Sequence, residues 1–179
     1  MLSVLKFISS GLYVGAKALR QAGLLKESMD STFNTLRQAG EELPRNVGDA
    51  KLISDMQATN DSLQKMSDDY VLSMPLTSNK KIITLQKIYS NLADLLHYIK
   101  PSLICAASLR MVELTLSEGL TPSSPLAFAY YGEMLAASGN LAEGCRLGMS
   151  SCVMTVISLL KCVSLCVSCS TMFHLLIST

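Results

Sequence analysis

The sequence contains few aromatic residues and few charged residues. It has no tryptophan, and only 6% of its 179 residues are aromatic and 16% are charged. Leucine, alanine, serine and methionine are plentiful instead, and this balance favours helices over a β-sandwich. With a net charge of +1, the chain lacks the strong basic excess that is typical of nucleic-acid-binding proteins, so we expect no nucleic-acid partner.

Residue types that carry out catalysis are also scarce. The chain has two histidines, and the first, His97, lies within a predicted helix, where we interpret it as a flank residue rather than a base. The segment closest to a phosphate-binding loop, residues 11–18, misplaces Lys17 and lacks the hydroxyl residue that should follow the lysine. We therefore predict no catalytic residue, no cofactor and no enzyme activity.

The six cysteines are not spread along the chain as they are in small secreted proteins. Cys105 and Cys145 stand apart, and the other four lie in the last 28 residues. This favours a reducing, cytoplasmic compartment in which thiols act as small apolar side chains. A zinc site built from the tail cysteines and His174 lacks the usual two ligand pairs on separate turns. Cys166 and Cys169 lack the flanking β-α-β pattern of a redox motif, so we predict no metal ligand.

Apolar residues at helical spacing, separated by glycine and proline, predict an all-α chain of single-domain length. The predicted helices cover residues 3–22, 25–39, 50–66, 80–99, 101–118, 124–138 and a stretch from 141, with a loop at 67–79. Gly40 and Gly119 are predicted helix ends, and Asn79 is a predicted helix start. Ser124 is a predicted cap that precedes Pro125 at the first helical position. The short connections favour stacked antiparallel helix pairs, an α-hairpin array, over residues 1–148.

One predicted helix pair has the spacing of a tetratricopeptide repeat (TPR), a unit that needs small residues where its two helices cross. Its predicted helix-packing residues are Phe128, Gly132, Leu135, Gly139, Leu141 and Gly144. Gly132 and Gly144 would let the two helices approach closely, with Gly139 in the turn between them. Residues 12–36 repeat the spacing more loosely, but no regular array is visible. A generic α-hairpin therefore stays open as an alternative.

Residues 108–148 contain a longer pattern, L-R-M-V-x-L-x-L-x-x-G, then S-P-x-A-F-A-x-x-G, then G-N-x-x-x-G-x-R-x-G. This pattern resembles the TPR-like helical region of very large signalling proteins that combine a kinase-like domain, an AAA- or STAND-type ATPase and a histidine-kinase or cyclase output. The resemblance extends over about residues 12–148. It implies a non-catalytic scaffold that binds a partner protein or neighbouring domains of a larger architecture. The catalytic domains are absent here, so the resemblance does not imply their activities.

Residues 149–179 form a tail with one charge, Lys161, among valine, leucine, isoleucine, cysteine and serine. The tail is long enough for a membrane span, although a lysine at the bilayer centre costs about 2.5–3.5 kcal/mol. Three hypotheses stay open: a tail anchor that makes the chain a membrane-associated adaptor, a buried or frayed helix, and a non-native end. The basic first 26 residues likewise suit either a targeting segment or an amphipathic helix.

Overall fold

The computed structural model of the chain describes residues 14–43 and 50–156, and within these ranges it contains eight helices and no β-strand. They are α1 (14–21), α2 (Leu25–Gln38), α3 (Ala50–Gln64), α4 (Asp68–Ser73), α5 (Lys80–Ile99), α6 (Ile104–Glu118), α7 (Ser124–Ala137) and α8 (141–156). A short 3-10 helix, Pro101–Leu103, leads into α6. The predicted all-α class is confirmed.

The helix ends follow the capping residues that the sequence indicates. Gly40 after α2 and Gly119 after α6 have φ angles of +85° and +97°, a conformation that favours glycine. At the start of α5, the Asn79 side-chain oxygen accepts the backbone N–H of Lys81 at 3.1 Å. Side chains and left-handed glycines therefore fix where these helices begin and end, as the sequence predicts.

Two local predictions are wrong. The predicted loop at residues 67–79 contains the short helix α4, which is capped by Ser67 where its hydroxyl accepts the backbone N–H of Tyr70 at 3.2 Å. Six residues are too few to show an apolar stripe, so the pattern does not reveal this helix. Ser124 does not cap α7 from outside but is its first residue. Its buried hydroxyl instead accepts the backbone N–H of Thr121 at 2.8 Å.

Helices α5 and α6 form the centre of the described structure. Helix α5 packs against α2 and α6, while α6 packs against α5 and α7 and also contacts α3. Residues 106–109 are buried in succession, so α6 is covered around most of its circumference. The fully buried side chains come mainly from α5, α6 and α7, and they include Tyr89, Leu92, Leu96, Ala107, Met111, Val112, Phe128 and Tyr131.

Backbone hydrogen bonds join the linker that precedes α5 to the linker that precedes α7. The N–H of Leu120 donates to the carbonyl of Pro75, and the N–H of Thr77 donates to the carbonyl of Leu120, both at 2.9 Å. Gly119 is required here for two reasons. Its φ angle is positive, and a Cβ atom on it would lie 2.6 Å from the Pro75 carbonyl oxygen. The linker before α5 is therefore held against the linker before α7.

The predicted domain boundary at residue 148 does not coincide with any break in the structure. Helix α8 runs without interruption from 141 to 156, and Ser150, Ser151 and Met154 are buried. The Ser151 hydroxyl donates to the carbonyl of Pro125 on α7 at 2.6 Å. The helical body thus includes the first eight residues of the segment that the sequence assigns to the tail, because α8 continues to pack on α7.

Several predictions lie outside the residues that the structure describes. These are the first eleven residues of the helix predicted at 3–22 and everything predicted for residues 157–179, including Lys161 and His174. Pro44, which the sequence predicts to prevent any continuation of the helix at 25–39, also lies outside them. Among the helices of the described ranges, none is both long and apolar enough to cross a membrane.

Candidate helix-binding face

Helices α7 and α8 cross with their backbones in close contact. A Cβ atom on Gly132 would lie 2.8 Å from the Gly144 carbonyl oxygen, and one on Gly144 would lie 2.5 Å from the Gly132 carbonyl oxygen. Ser151, later in α8, contacts Pro125 at the start of α7. The contacts run in opposite directions along the two helices, so α7 and α8 form an antiparallel pair.

The other predicted packing residues have different positions in this pair. Phe128 and Leu135 are buried on α7. Gly139 is exposed in the turn with a φ angle of +98°, so its role there is conformational. Leu141 is a correction, because its side chain is 64% exposed at the start of α8 and does not pack in the crossing. The fully buried Leu147 occupies the crossing instead, close to Gly132.

Helix α3 lies against a surface made by α6, α7 and α8, which we call the helix-binding face and define by Cys105, Tyr131 and Arg146. The residues of α3 that turn towards the protein interior are Leu52, Met56, Thr59 and Leu63, at intervals of four, three and four. These intervals form a single stripe along a helix. The helix-binding face therefore holds one amphipathic helix across three others.

The centre of the helix-binding face contacts the backbone of α3 as well as its side chains. The hydroxyl of the buried Tyr131 donates to the backbone carbonyl of Met56 at 3.1 Å. The Cys105 sulfur lies 3.3 Å from the Met56 sulfur. Burial raises the pKa of Tyr131 and of Cys105, so both groups stay protonated near neutral pH and can donate. A contact to a backbone carbonyl recognises a helix without requiring one particular side chain.

Arg146 of α8 binds the C-terminal end of α3. Its guanidinium donates to the Leu63 carbonyl oxygen at 3.0 Å and to the Asp68 carboxylate at 2.6 Å, and it also pairs with Glu143. The pairing with Glu143 outweighs partial burial and raises the pKa of Arg146, so the side chain stays charged. A cation is favoured at this position because the last turn of a helix carries partial negative charge.

Helix α3 fits the helix-binding face imperfectly. Its inward stripe includes the polar Thr59, while Ile53 is 54% exposed on the other side. The Asn60 side-chain oxygen is buried with no hydrogen-bond partner among the described residues. A buried polar atom without a partner costs about 1–3 kcal/mol. Helix α3 is therefore held by fewer favourable contacts than an apolar helix would make at the same place.

A second polar cluster ties the end of α2 to the centre of the fold. The Glu41 carboxylate accepts hydrogen bonds from Arg110 at 2.8 and 3.1 Å and from the Tyr89 hydroxyl at 2.9 Å. Burial alone would raise the pKa of Glu41, but the hydrogen bonds and charge of Arg110 outweigh it and the pKa is lowered. Arg110 also pairs with Glu113, so two carboxylates neutralise it and it offers no free charge to an anionic ligand.

The described residues offer little that could perform chemistry. They contain no group of three or more histidine, cysteine or acidic residues that could hold a metal ion. His97 is exposed near the end of α5 and makes an edge-to-face contact with Tyr98, with the two ring centroids 5.7 Å apart. Cys145 and Cys152 are exposed free thiols on α8.

Sequence reasoning missed Tyr131 and Arg146. The signal for Arg146 is its three-residue spacing from Glu143, but many surface ion pairs share this spacing and it singles out no site. Tyr131 adjoins the predicted packing residue Gly132, yet only the position of α3 shows what its hydroxyl contacts. The docking of α3 depends on contacts across many intervening residues, which a local pattern cannot reveal.

Comparisons with known proteins identify no relative: no family model, no curated protein and no solved structure matches the chain.

Proposed function

We propose that the chain is a non-catalytic interaction scaffold that binds an amphipathic helix of a partner protein on the helix-binding face. The observation that supports this is the binding of α3 to that face, since α3 is an internal example of the ligand. Helix-in-groove recognition uses the same elements, namely a row of apolar side chains at helical spacing with polar contacts at the ends.

The partner helix would take the place of α3. Its apolar residues would have the four-three-four spacing of Leu52, Met56, Thr59 and Leu63, with an apolar residue in place of the threonine. An acidic residue just beyond its C-terminal end would pair with Arg146 as Asp68 does. Because α3 and the partner compete for one face, the partner binds only as tightly as its advantage over α3 allows.

The wider setting of the scaffold is part of the same proposal. The close glycine crossing of α7 and α8 supports a TPR-like helix pair, and the pattern in residues 108–148 supports a place in a large cytoplasmic signalling protein. In that setting the partner helix belongs either to another protein or to a neighbouring kinase-like or ATPase domain. The chain then contributes recognition, while catalysis belongs to its neighbours.

A peptide experiment tests the proposal. A labelled peptide of residues 50–68 carrying Thr59→Leu is titrated with the full chain, and fluorescence anisotropy reports binding. We expect it to bind at least fivefold more tightly than the unsubstituted peptide, because the change replaces a buried hydroxyl with apolar surface. Tyr131→Phe in the chain should leave this fivefold difference unchanged, because α3 and both peptides lose the same hydrogen bond to the Met56 carbonyl.

The control peptide carries Leu63→Glu in addition to Thr59→Leu. A carboxylate at this fully buried position cannot be accommodated, so binding should be lost. Equal binding of the two peptides, or no binding of either, would contradict a helix-binding role for this face.

A further inference from the structure

The outward side of α8 is an apolar stripe that no described residue covers. It consists of Leu141, Cys145, Met149, Cys152 and Val156, all exposed, with Met149 69% and Val156 53% accessible. At about 100° per residue these five positions fall within an arc of about 80°. The stripe has no charge, because the two charged residues of α8, Glu143 and Arg146, lie outside it. They pair with each other, and Arg146 also bonds α3 and Asp68.

The spacing of the α8 stripe is self-complementary. If two α8 helices pack antiparallel about the midpoint between Gly148 and Met149, Leu141 lies opposite the partner's Val156 and Cys145 lies opposite the partner's Cys152. Met149 then lies opposite the partner's Gly148. A Cβ atom on Gly148 would meet no atom within 4 Å, so there is room for the methionine beside it. A symmetric pair needs this kind of match, because the same surface is used twice.

We propose that the chain forms a two-fold symmetric dimer through the α8 stripe, with the two α8 helices antiparallel. The absence of charge on the stripe removes the repulsion that would otherwise oppose contact between identical surfaces. The contact is independent of the helix-binding face, since Arg146 and Tyr131 contact α3 from α8 and α7 while the stripe faces away from the body. A dimer would therefore carry two helix-binding faces and could bind two partner helices at once.

The size of the contact sets the expected strength of the dimer. The sixteen described residues of α8 extend over about 24 Å, and a helix pair formed by these residues alone buries less than the roughly 1,200 Å² at the low end of stable interfaces. We expect a reversible dimer with a dissociation constant on the order of micromolar.

Disulfide cross-linking of the two exposed thiols on the stripe, Cys145 and Cys152, tests how the two α8 helices pack. In the full chain, the other four cysteines are replaced by serine, which leaves Cys145 and Cys152 for oxidation by dithiodipyridine. In each cross-link two thiols lose two protons and two electrons, one S–S bond forms, and the reagent is reduced to two thiopyridones. Cys145 and the partner's Cys145 are offset by seven residues, about 10 Å along α8, which is too far for a disulfide.

The antiparallel pairing therefore predicts a specific pattern of cross-links. The chain with both thiols should give a covalent dimer, and Cys145→Ser or Cys152→Ser alone should give none. A mixture of the two single variants should restore the cross-link, because one chain then supplies Cys145 and the other Cys152. Cross-links that persist in either single variant would overturn the antiparallel arrangement.

Sedimentation of the full chain without oxidant tests the dimer itself. We expect a monomer–dimer equilibrium whose dissociation constant rises at least tenfold in Met149→Glu, with an unchanged circular dichroism spectrum. The control is Ala137→Glu, which adds the same charge at an exposed position at the end of α7. A chain that stays monomeric at all concentrations overturns the proposal. Monomers whose Cys145 and Cys152 react slowly with alkylating reagents would overturn it in favour of residues 157–179 covering the stripe.

Discussion

Single residues without side chains decide how closely α7 and α8 approach. At Gly132 the space for a side chain is filled by the backbone of α8, so glycine is kept there although it costs about 0.5–1 kcal/mol relative to alanine in a helix interior. The spacing of Gly132 from Phe128 and Leu135 predicts this position from the sequence, because a small residue between large ones on one helical face has a local signature.

The first prediction concerns this crossing. Gly132→Leu should destabilise the chain by about 1–3 kcal/mol through overpacking, in spite of the better helix propensity of leucine. Urea unfolding monitored by circular dichroism measures the change. The control, Glu133→Ala, alters an exposed neighbour and should have little effect. A neutral or stabilising Gly132→Leu would show that the two helices do not cross closely.

The second prediction concerns Glu41, whose pKa is lowered from its ordinary value of 4.5 by Arg110 against the opposing effect of burial. A lowered folded pKa stabilises the fold above the unfolded value and loses that contribution as the pH falls through the folded value. Glu41→Gln should therefore destabilise by about 1–3 kcal/mol at neutral pH, and the difference from the wild type should shrink below about pH 4.5.

Urea melts at pH 7 and at pH 3 test the Glu41 prediction, with the adjacent and exposed Glu42→Gln as the matched control. Glu42→Gln should leave stability unchanged at both values. A Glu41→Gln effect that is the same at both pH values would show that packing, and not charge, accounts for the contribution of this residue.

The helices differ in how far the sequence predicts them. Helices α2, α5, α6 and α7 follow their predicted bounds because apolar periodicity and caps are local properties. The position of α3 on α6, α7 and α8 was not predictable, since its stripe shows which side is buried but not what covers it. The short α4 was not predicted, and the helical continuation of α8 past residue 148 was one of three hypotheses left open for the tail. The reason is related, because tertiary contacts such as Arg146 to Asp68 and Ser151 to Pro125 stabilise both.

The third prediction belongs to helix α3. Its buried stripe is partly polar and the Asn60 side-chain oxygen has no hydrogen-bond partner among the described residues, so we expect its amides to exchange with solvent faster than those of α5 and α6. Hydrogen–deuterium exchange with mass spectrometry compares these segments within one sample. An excess of the Thr59→Leu peptide should speed exchange in α3 further and leave α5 unchanged. Protection of α3 equal to that of α5 would show that α3 is a permanent part of the core.

At the scale of the molecule, the helical body extends to at least residue 156, and the fourth prediction tests this. A chain that ends at 148 loses the buried Met154 and the hydrogen bond from Ser151 to Pro125, whereas a chain that ends at 156 keeps both. The shorter chain should be less stable by about 2–3 kcal/mol, the value of burying one large apolar side chain with its neighbours. Equal urea midpoints for the two truncated chains would show that residues 149–156 add no stability and that the helical body ends at 148.

The long-range tie between Glu41 and Arg110 also has a consequence for the order of folding. Helices α5 to α8 pack against their immediate neighbours in sequence, so their contacts close short loops, whereas α2 reaches α5 and α6 only across α3 and α4. Short loops cost less entropy to close, and contacts of this kind form early. Gly132→Leu should then slow refolding in stopped-flow experiments, while Glu41→Gln should mainly speed unfolding, because the first helices join a nucleus that already exists.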